Sequence, residues 1–345
     1  MKKEDLFRHS LASDCCLQEA LETLNITELQ GMCFYMHLHE EISAERDMLM
    51  QHVKEALPKA VYRFAMCFDT ERFQLFHTML QQNGIISIDK LSIRKIMALR
   101  DMGLAYPAVV EDRRVLVVPK EIKEEFENLE PAIWEEMAAF NTKLLHRAQG
   151  ALHFYGFVDT ERLVKLCVQT GPEDPWDNVY LLEVLYDAIL YHGIIEPEEE
   201  GFRHKRFWNY QLIQKKQAEL KNIPAPKEYT RETLERVGKQ NGIEWTLPME
   251  RLKQFLISEG GLSKNMAKRE VESAWYEFNN GIPFDDVCHY LMDWYFSSAE
   301  LETQEMLAFS LVQMFWTMPR WLFKGYSFEE LGDSLLEEMG AASLS

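Results

Sequence analysis

The chain has 345 residues, carries 37 Lys and Arg against 56 Asp and Glu for a formal charge of −19 at pH 7, and is 47% hydrophobic with only 16 Gly and 12 Pro. This composition excludes the disordered and fibrous classes and gives length for roughly two to four domains. The negative balance excludes a histone-like binder, because phosphate and anionic lipid are repelled, so nucleic-acid contact would have to rest on a local basic patch.

No stretch supplies the apolar core of a signal peptide, about 7–15 residues, or the roughly 20 apolar residues of a membrane span, which predicts a cytoplasmic protein without membrane contact. Cys15, Cys16, Cys33, Cys67, Cys167 and Cys288 include no C-x-x-C pair and mostly lie in apolar helical text, so neither disulfides nor a thiolate zinc site is expected.

In chain order, Leu21, Leu24, Leu29, Met32 and Cys33 recur at helical spacing, with Thr27 a candidate N-cap and a second helix restarting at Ser43. This predicts a helical hairpin over residues 1–60. Thr70–Gly84 is an amphipathic helix stopped by Asn83-Gly84, and Leu91–Gly103 is another ended by Gly103. LAYPAVV and RVLVV follow, separated by Glu111-Asp112-Arg113-Arg114, a hairpin signal. Helix, helix and β-hairpin in this order outline a winged helix over 61–130.

The outline recurs over 131–227. Asn141–Tyr155 reads as a long helix, Asp159-Thr160-Glu161-Arg162 echoes Asp69-Thr70-Glu71-Arg72, Asp177–His192 is an apolar helix, and IIEPEEEGFRHKRFW is a degenerate hairpin. The shared order argues for a duplicated module more strongly than the four-letter echo. KNIPAPK (221–227) reads as a linker, and 228–345 is a succession of short helical patterns expected to form a bundle. The fold class is therefore mainly α: a helical hairpin, two winged-helix-like α+β units with small β-hairpins, and a C-terminal helical bundle.

By segment the net charge is −6 for 1–130, −3 for 131–227 and −10 for 228–345, while 88–120 alone is positive at +3. Arg94, Lys95 and Arg100 on the expected recognition helix, with Arg113 and Arg114 on the hairpin tip, are the candidate nucleic-acid contacts, since a DNA-reading winged helix carries cations at both places. The second copy has Asp177, Glu183 and Asp187 there and no base. His37-Leu38-His39 and the helical set Asp285, His289 and Asp293 invite a metal reading, but local side-chain pairing accounts for them, and no metal or cofactor is expected. Nucleophile elbow, P-loop, dinucleotide fingerprint and zincin helix are all missing from the sequence, which argues against an enzyme. The densest aromatic run offers Trp294, Trp316, Trp321 and Phe328 as a candidate partner surface, with bundle core as the competing account.

The text TMPRWLFKGYSFEEL resembles the stretch N-x-x-x-x-W-x-x-x-G-[HY]-[ST]-P-x-E-L of a group of uncharacterised Firmicute proteins that often end in a SEC-C zinc knuckle. Trp321, Gly325, Tyr326, Ser327, Glu330 and Leu331 match, and Phe328 stands at the usual proline. The N-terminal hairpin is similar to the Rho N-terminal or SAP-like hairpin of the same group. No C-x-C…C-[CH] knuckle follows Leu331, so no zinc contact carries over, and Glu40, Glu41, Glu45 and Asp47 stand where nucleic-acid-binding hairpins carry bases. The resulting expectation is a non-enzymatic protein-interaction or regulatory module, with a nucleic-acid-binding regulator as the alternative and a hydrolase or metal-dependent enzyme as a third reading.

Overall fold

The structure, a computed structural model, describes residues 6–7, 11–38, 45–168, 178–220, 224–239 and 242–332. The chain begins with α1 (Leu17–Glu22), α2 (Ile26–Tyr35), α3 (Arg46–Met66) and α4 (Thr70–Gln81), then β1 (Ile85–Ser87), α5 (Ile93–Asp101), β2 (Tyr106–Val110), β3 (Arg113–Val117) and α6 (Lys120–Glu127). Next come α7 (Pro131–Tyr155), β4 (Phe157–Asp159), α8 (Thr160–Cys167), α9 (Asn178–His192), β5 (Ile195–Glu198), β6 (Gly201–His204) and α10 (Tyr210–Glu219). The remainder is α11 (Arg231–Lys239), α12 (Leu247–Ser258), α13 (Lys264–Asn279), α14 (Phe284–Tyr295), α15 (Leu301–Thr317), a 3-10 turn (Trp321–Phe323) and α16 (Phe328–Leu331). The protein is mainly helical with two small three-stranded antiparallel sheets. Among the described residues no helix is long and apolar enough to cross a membrane.

Two compact units result, residues 1–145 with 176–193 and residues 146–175 with 194–345, the division falling inside α7. In the first, α3 carries Leu49, Val53, Leu57, Val61 and Phe64 at helical spacing, all buried. That continuous apolar face takes the helix through Pro58 to Met66 and across the expected hairpin boundary at 60, although proline removes one helix hydrogen bond. Phe68, Phe76, Phe126 and Trp134 pack around its end, with Phe76 and Phe126 centroids 4.7 Å apart, and the Trp134 indole donates to the Ala65 carbonyl at 3.0 Å.

Caps set the helix starts. The N-cap of α2 is Asn25 and not Thr27, because the Asn25 side chain accepts from the Glu28 amide while the Glu28 carboxylate accepts from the Asn25 amide. Ser43 lies outside the described residues, and α3 begins at Arg46. The echoed Asp69 and Asp159 are both N-caps, of α4 and α8. The first opens a helix before its sheet's first strand and the second a helix after it, so the echo marks capping chemistry at two different places in the element order.

The hairpin expected after Gly103 forms. Its two-residue turn is Glu111-Asp112, both at positive φ (49° and 60°), which is the backbone a tight hairpin needs. Arg113 and Arg114 therefore start β3 and do not sit on the tip. Sheet order is β1-β3-β2 in one sheet and β4-β6-β5 in the other.

In the second unit α12 packs on α13 and α15, and α14 on α13 and α15. Trp275 and Trp321 are enclosed. The Trp321 amide donates to Asn279 Oδ1 at 2.8 Å and its indole to the His153 carbonyl at 2.7 Å. Gly325 takes φ +94°, a backbone that favours glycine, and a Cβ there would stand a tight 3.2 Å from the rings of Tyr155 and Tyr229. Ser327 and Glu330 form a capping box at the start of α16. At the end of the expected linker the Lys227 amide donates to Lys324 O at 3.1 Å and its ammonium pairs with Glu330.

Candidate partner-binding surface

The five candidate nucleic-acid contacts sit in different local surroundings. Lys95 is ion-paired with Glu71, and its ammonium lies 4.9 Å from the Tyr191 ring centroid. Arg100 is paired with Glu28 at 2.6 Å and Asp101 at 3.5 Å. Arg94 is exposed, but its guanidinium lies against Gly193, so closely that a Cβ there would come within 2.6 Å of Nε. Arg114 stands over the Phe7 ring at 5.7 Å, and Arg113 is exposed beside it. These two share an open cavity of about 470 Å³ with Gln82, Ile86, Ser87 and Asp89. The expected recognition helix α5 also packs along α9, which brings an acidic helix to its side.

A buried polar cluster ties α3, α4 and α9 together. Asp69 Oδ1 accepts from the Glu71 and Arg72 amides, and Oδ2 accepts from Arg72 Nε at 2.8 Å and pairs with His192 Nε2 at 2.9 Å. Burial alone would raise the Asp69 pKa, but Arg72 and His192 outweigh it and hold the carboxyl well below its ordinary range. Arg72 Nη2 donates to the Cys67 carbonyl at 2.9 Å, while its Nη1 has no hydrogen-bond partner. Asp187 Oδ2 has none either, and burial pushes this carboxyl up to about 6 against the partial relief of Arg72 and Arg63. The hydrogen bonds of the cluster run to backbone or between its members, and the Arg72 guanidinium also lies over the Phe68 and Tyr191 rings, so its chemistry is that of a cap and a tether between helices.

A second buried set lies in the other unit. His153 and His204 are enclosed, and burial lowers both to about 3, so both are neutral at physiological pH. The buried Arg320 donates through Nη2 to the Phe278 carbonyl at 2.6 Å and lies 4.5 Å from the Phe315 centroid, with burial lowering its pKa to about 9. Among the described residues no group of three or more His, Cys, Asp or Glu could hold a metal ion. His39 of the His37-Leu38-His39 motif lies outside them.

The candidate partner surface needs correction. Trp321 and Phe328 are buried: Trp321 is bonded to Asn279 and His153, and Phe328 packs between Phe315 and Phe323. The proline at 319 folds the chain after α15 back into the core, so rings close in sequence point opposite ways. Trp294, 72% exposed, and Trp316, 37% exposed, remain on the surface.

Trp316 belongs to a larger apolar face that the aromatic run did not single out. Leu301, Met306, Phe309 and Val312 of α15 are between 44% and 71% exposed. Steps of about 100° per residue put these four and Trp316 within about 140° of arc, opposite the buried Leu307, Leu311 and Met314. The available signal was a helix apolar on both sides, which is excess to what one core contact requires. Glu302 and Glu305 stand on the same side of α15, and Asp285, Asp286 and Asp293 of the neighbouring α14 and Glu300 before α15 are exposed as well.

Comparison with protein-family models, with curated proteins and with solved structures found no match.

Proposed function

We propose that this chain is a non-enzymatic, cytoplasmic protein-docking module whose contact face is the outward side of α15. The observation that carries the reading is that one helix leaves five large apolar side chains in water, a feature that in a soluble protein marks an interaction surface. The engagement of Lys95 and Arg100 by Glu71, Glu28 and Asp101 supports it, since these cations are spent on the chain's own carboxylates.

The β4-β6-β5 sheet has the same strand order as β1-β3-β2 but α9, which precedes its hairpin, belongs to the first compact unit, whereas β1-α5-β2-β3 with sheet order β1-β3-β2 fits a winged-helix-like unit within one compact body. Such a unit reads DNA when its helix and hairpin present free cations to the grooves. With α5 lying along α9 the unit serves here as a scaffold element.

Selection from a random peptide library against the whole chain tests this. We expect a family of peptides held by the native chain and released by Phe309→Ser, with no retention of mixed-sequence DNA or RNA at low salt. Recovery of no such family, beside nucleic-acid retention that charge reversal at Arg94 and Arg113 abolishes, would transfer the function to the nucleic-acid-binding alternative.

A further inference from the structure

We infer that the exposed face of α15 takes a basic amphipathic helix, an inference that rests on reading this face as a docking surface. Met306, Phe309, Val312 and Trp316 are spaced three, three and four apart, the spacing along which a partner helix sets its own i, i+3/i+4, i+7 anchors. From Leu301 to Trp316 the face runs about 22 Å, the length of a helix of roughly 15 residues.

Charge selects the partner. From Glu270 to Pro319 the sequence holds nine Asp and Glu and no Lys or Arg. Glu272 is paired with Lys268, at 3.6 Å, but the six carboxylates of α14, of α15 and of the turn between them are exposed. Glu302 and Glu305 stand on the same side of α15 as the apolar stripe, and Asp285, Asp286 and Asp293 lie on the neighbouring α14. A second copy of this chain would bring the same carboxylates against one another, and an anionic membrane or a nucleic acid would meet the same repulsion. A helix with apolar anchors on one side and Lys or Arg flanking them satisfies both features at once. Apolar burial then supplies affinity, and the acidic surround supplies orientation and encounter rate.

The test uses the whole chain and a fluorescein-labelled synthetic peptide of about 18 residues, with Leu and Trp at i, i+3/i+4, i+7 and Lys at the flanking positions. Two comparison peptides keep most of its composition: one shuffled so that no apolar face forms, one with every Lys changed to Glu. By fluorescence anisotropy the amphipathic basic peptide is expected to bind and gain helicity. The shuffled peptide should bind at least about tenfold more weakly and the acidic one not at all. Phe309→Ser and Glu302→Lys with Glu305→Lys should each weaken binding about tenfold or more, while Tyr62→Ser, an exposed aromatic on α3, should leave it unchanged. Equal binding of the shuffled peptide, or full binding by the Phe309→Ser chain, overturns the inference. So does a dimer in sedimentation that Phe309→Ser dissolves, which assigns the face to a second copy. If library-selected peptides of acidic or proline-rich character bind at Phe309 while the basic helix does not, the docking surface stands and the partner class falls; if nothing binds there, both fall.

Discussion

Two glycine-to-alanine substitutions one helix apart should behave in opposite ways to a third. His146 and Gly150 lie one turn apart on α7, and Leu234 and Gly238 one turn apart on α11. A Cβ on Gly150 would stand 2.6 Å from the Leu234 carbonyl carbon and closer to its oxygen, and one on Gly238 would stand 2.5 Å from the carbonyl carbon of His146. Each helix thus offers its glycine to the backbone of the other, and backbone cannot rotate aside as a side chain can. Relieving either clash requires the helices to part by about 1 Å, which forfeits dispersion contacts around the buried Leu234 and Val237. Overpacking of this kind costs about 1–3 kcal/mol or more, against a gain of about 1 kcal/mol in helix propensity. With rigid backbone on both sides we place the net loss for Gly150→Ala and for Gly238→Ala at about 2 kcal/mol each. The double variant should lose less than the sum, because helices already parted accommodate the second methyl. Gly31, inside α2, meets nothing within 4 Å, so Gly31→Ala should gain about 0.5–1 kcal/mol. Urea denaturation followed by fluorescence, which the second unit dominates through Trp208, Trp245, Trp275, Trp294, Trp316 and Trp321, reads the first two; far-ultraviolet circular dichroism reads the third. Wild-type stability in Gly150→Ala, or a loss in Gly31→Ala, would refute the close crossing.

Asp187 gives a pH prediction. Its folded pKa of about 6 exceeds the ordinary 3.8, so the folded state holds a proton that the unfolded state releases, and its contribution is full below about pH 4 and lost as pH rises through 6. Asp187→Asn should therefore gain on the wild type between pH 4 and 7 by up to about 3 kcal/mol, and a stability difference that does not change with pH would contradict this. Asp69 acts in the opposite sense: its depressed pKa contributes stability above about pH 4 that is lost on acidification, so Asp69→Asn should destabilise at neutral pH and converge on wild type in acid. Arg320 leaves Nε and Nη1 without hydrogen bonds in an aromatic pocket, so Arg320→Met should stay within about 1 kcal/mol of wild type while Arg320→Ala loses about 3 kcal/mol, both by urea midpoint. Ser327→Ala, which removes the cap of α16, should cost about 1 kcal/mol on the same assay.

Most helices and both hairpins were legible because their signals are local. Asn83-Gly84 and Gly103 end helices at positive φ, and Glu111-Asp112 makes the tight turn within the span expected for it. What was not legible depended on partners remote in sequence. α6 and α10 are short, and no capping side chain marks their starts, so little in the text separates them from loop. α3 passes Pro58 because the core beneath it is continuous, a fact of packing that propensity at position 58 does not contain. In the aromatic run, Trp316 and Trp321 are chemically alike and five residues apart. Pro319 and the bond from the Trp321 indole to His153, 168 positions away, decide which of them faces water.

Charge shows the same division between local text and long-range structure. The positive segment 88–120 suggested a basic patch because its cations were counted only against acids inside it. Folded, Lys95 meets Glu71 from 24 positions away and Arg100 meets Glu28 from 72, so two of the three surplus charges are met by carboxylates that a linear window cannot include. The acidic stretch from Glu270 to Pro319 escapes this cancellation from Asp285 onward, where α14 and α15 keep their carboxylates in water and α15 leaves apolar side chains uncovered. Two exposures that each carry a cost when alone, like charges held close together and apolar surface in water, are relieved together by one ligand that is both cationic and apolar. The electrostatics of this protein therefore point outward at α15, on the opposite sign and at the opposite end of the chain from where a charge count along the sequence would look.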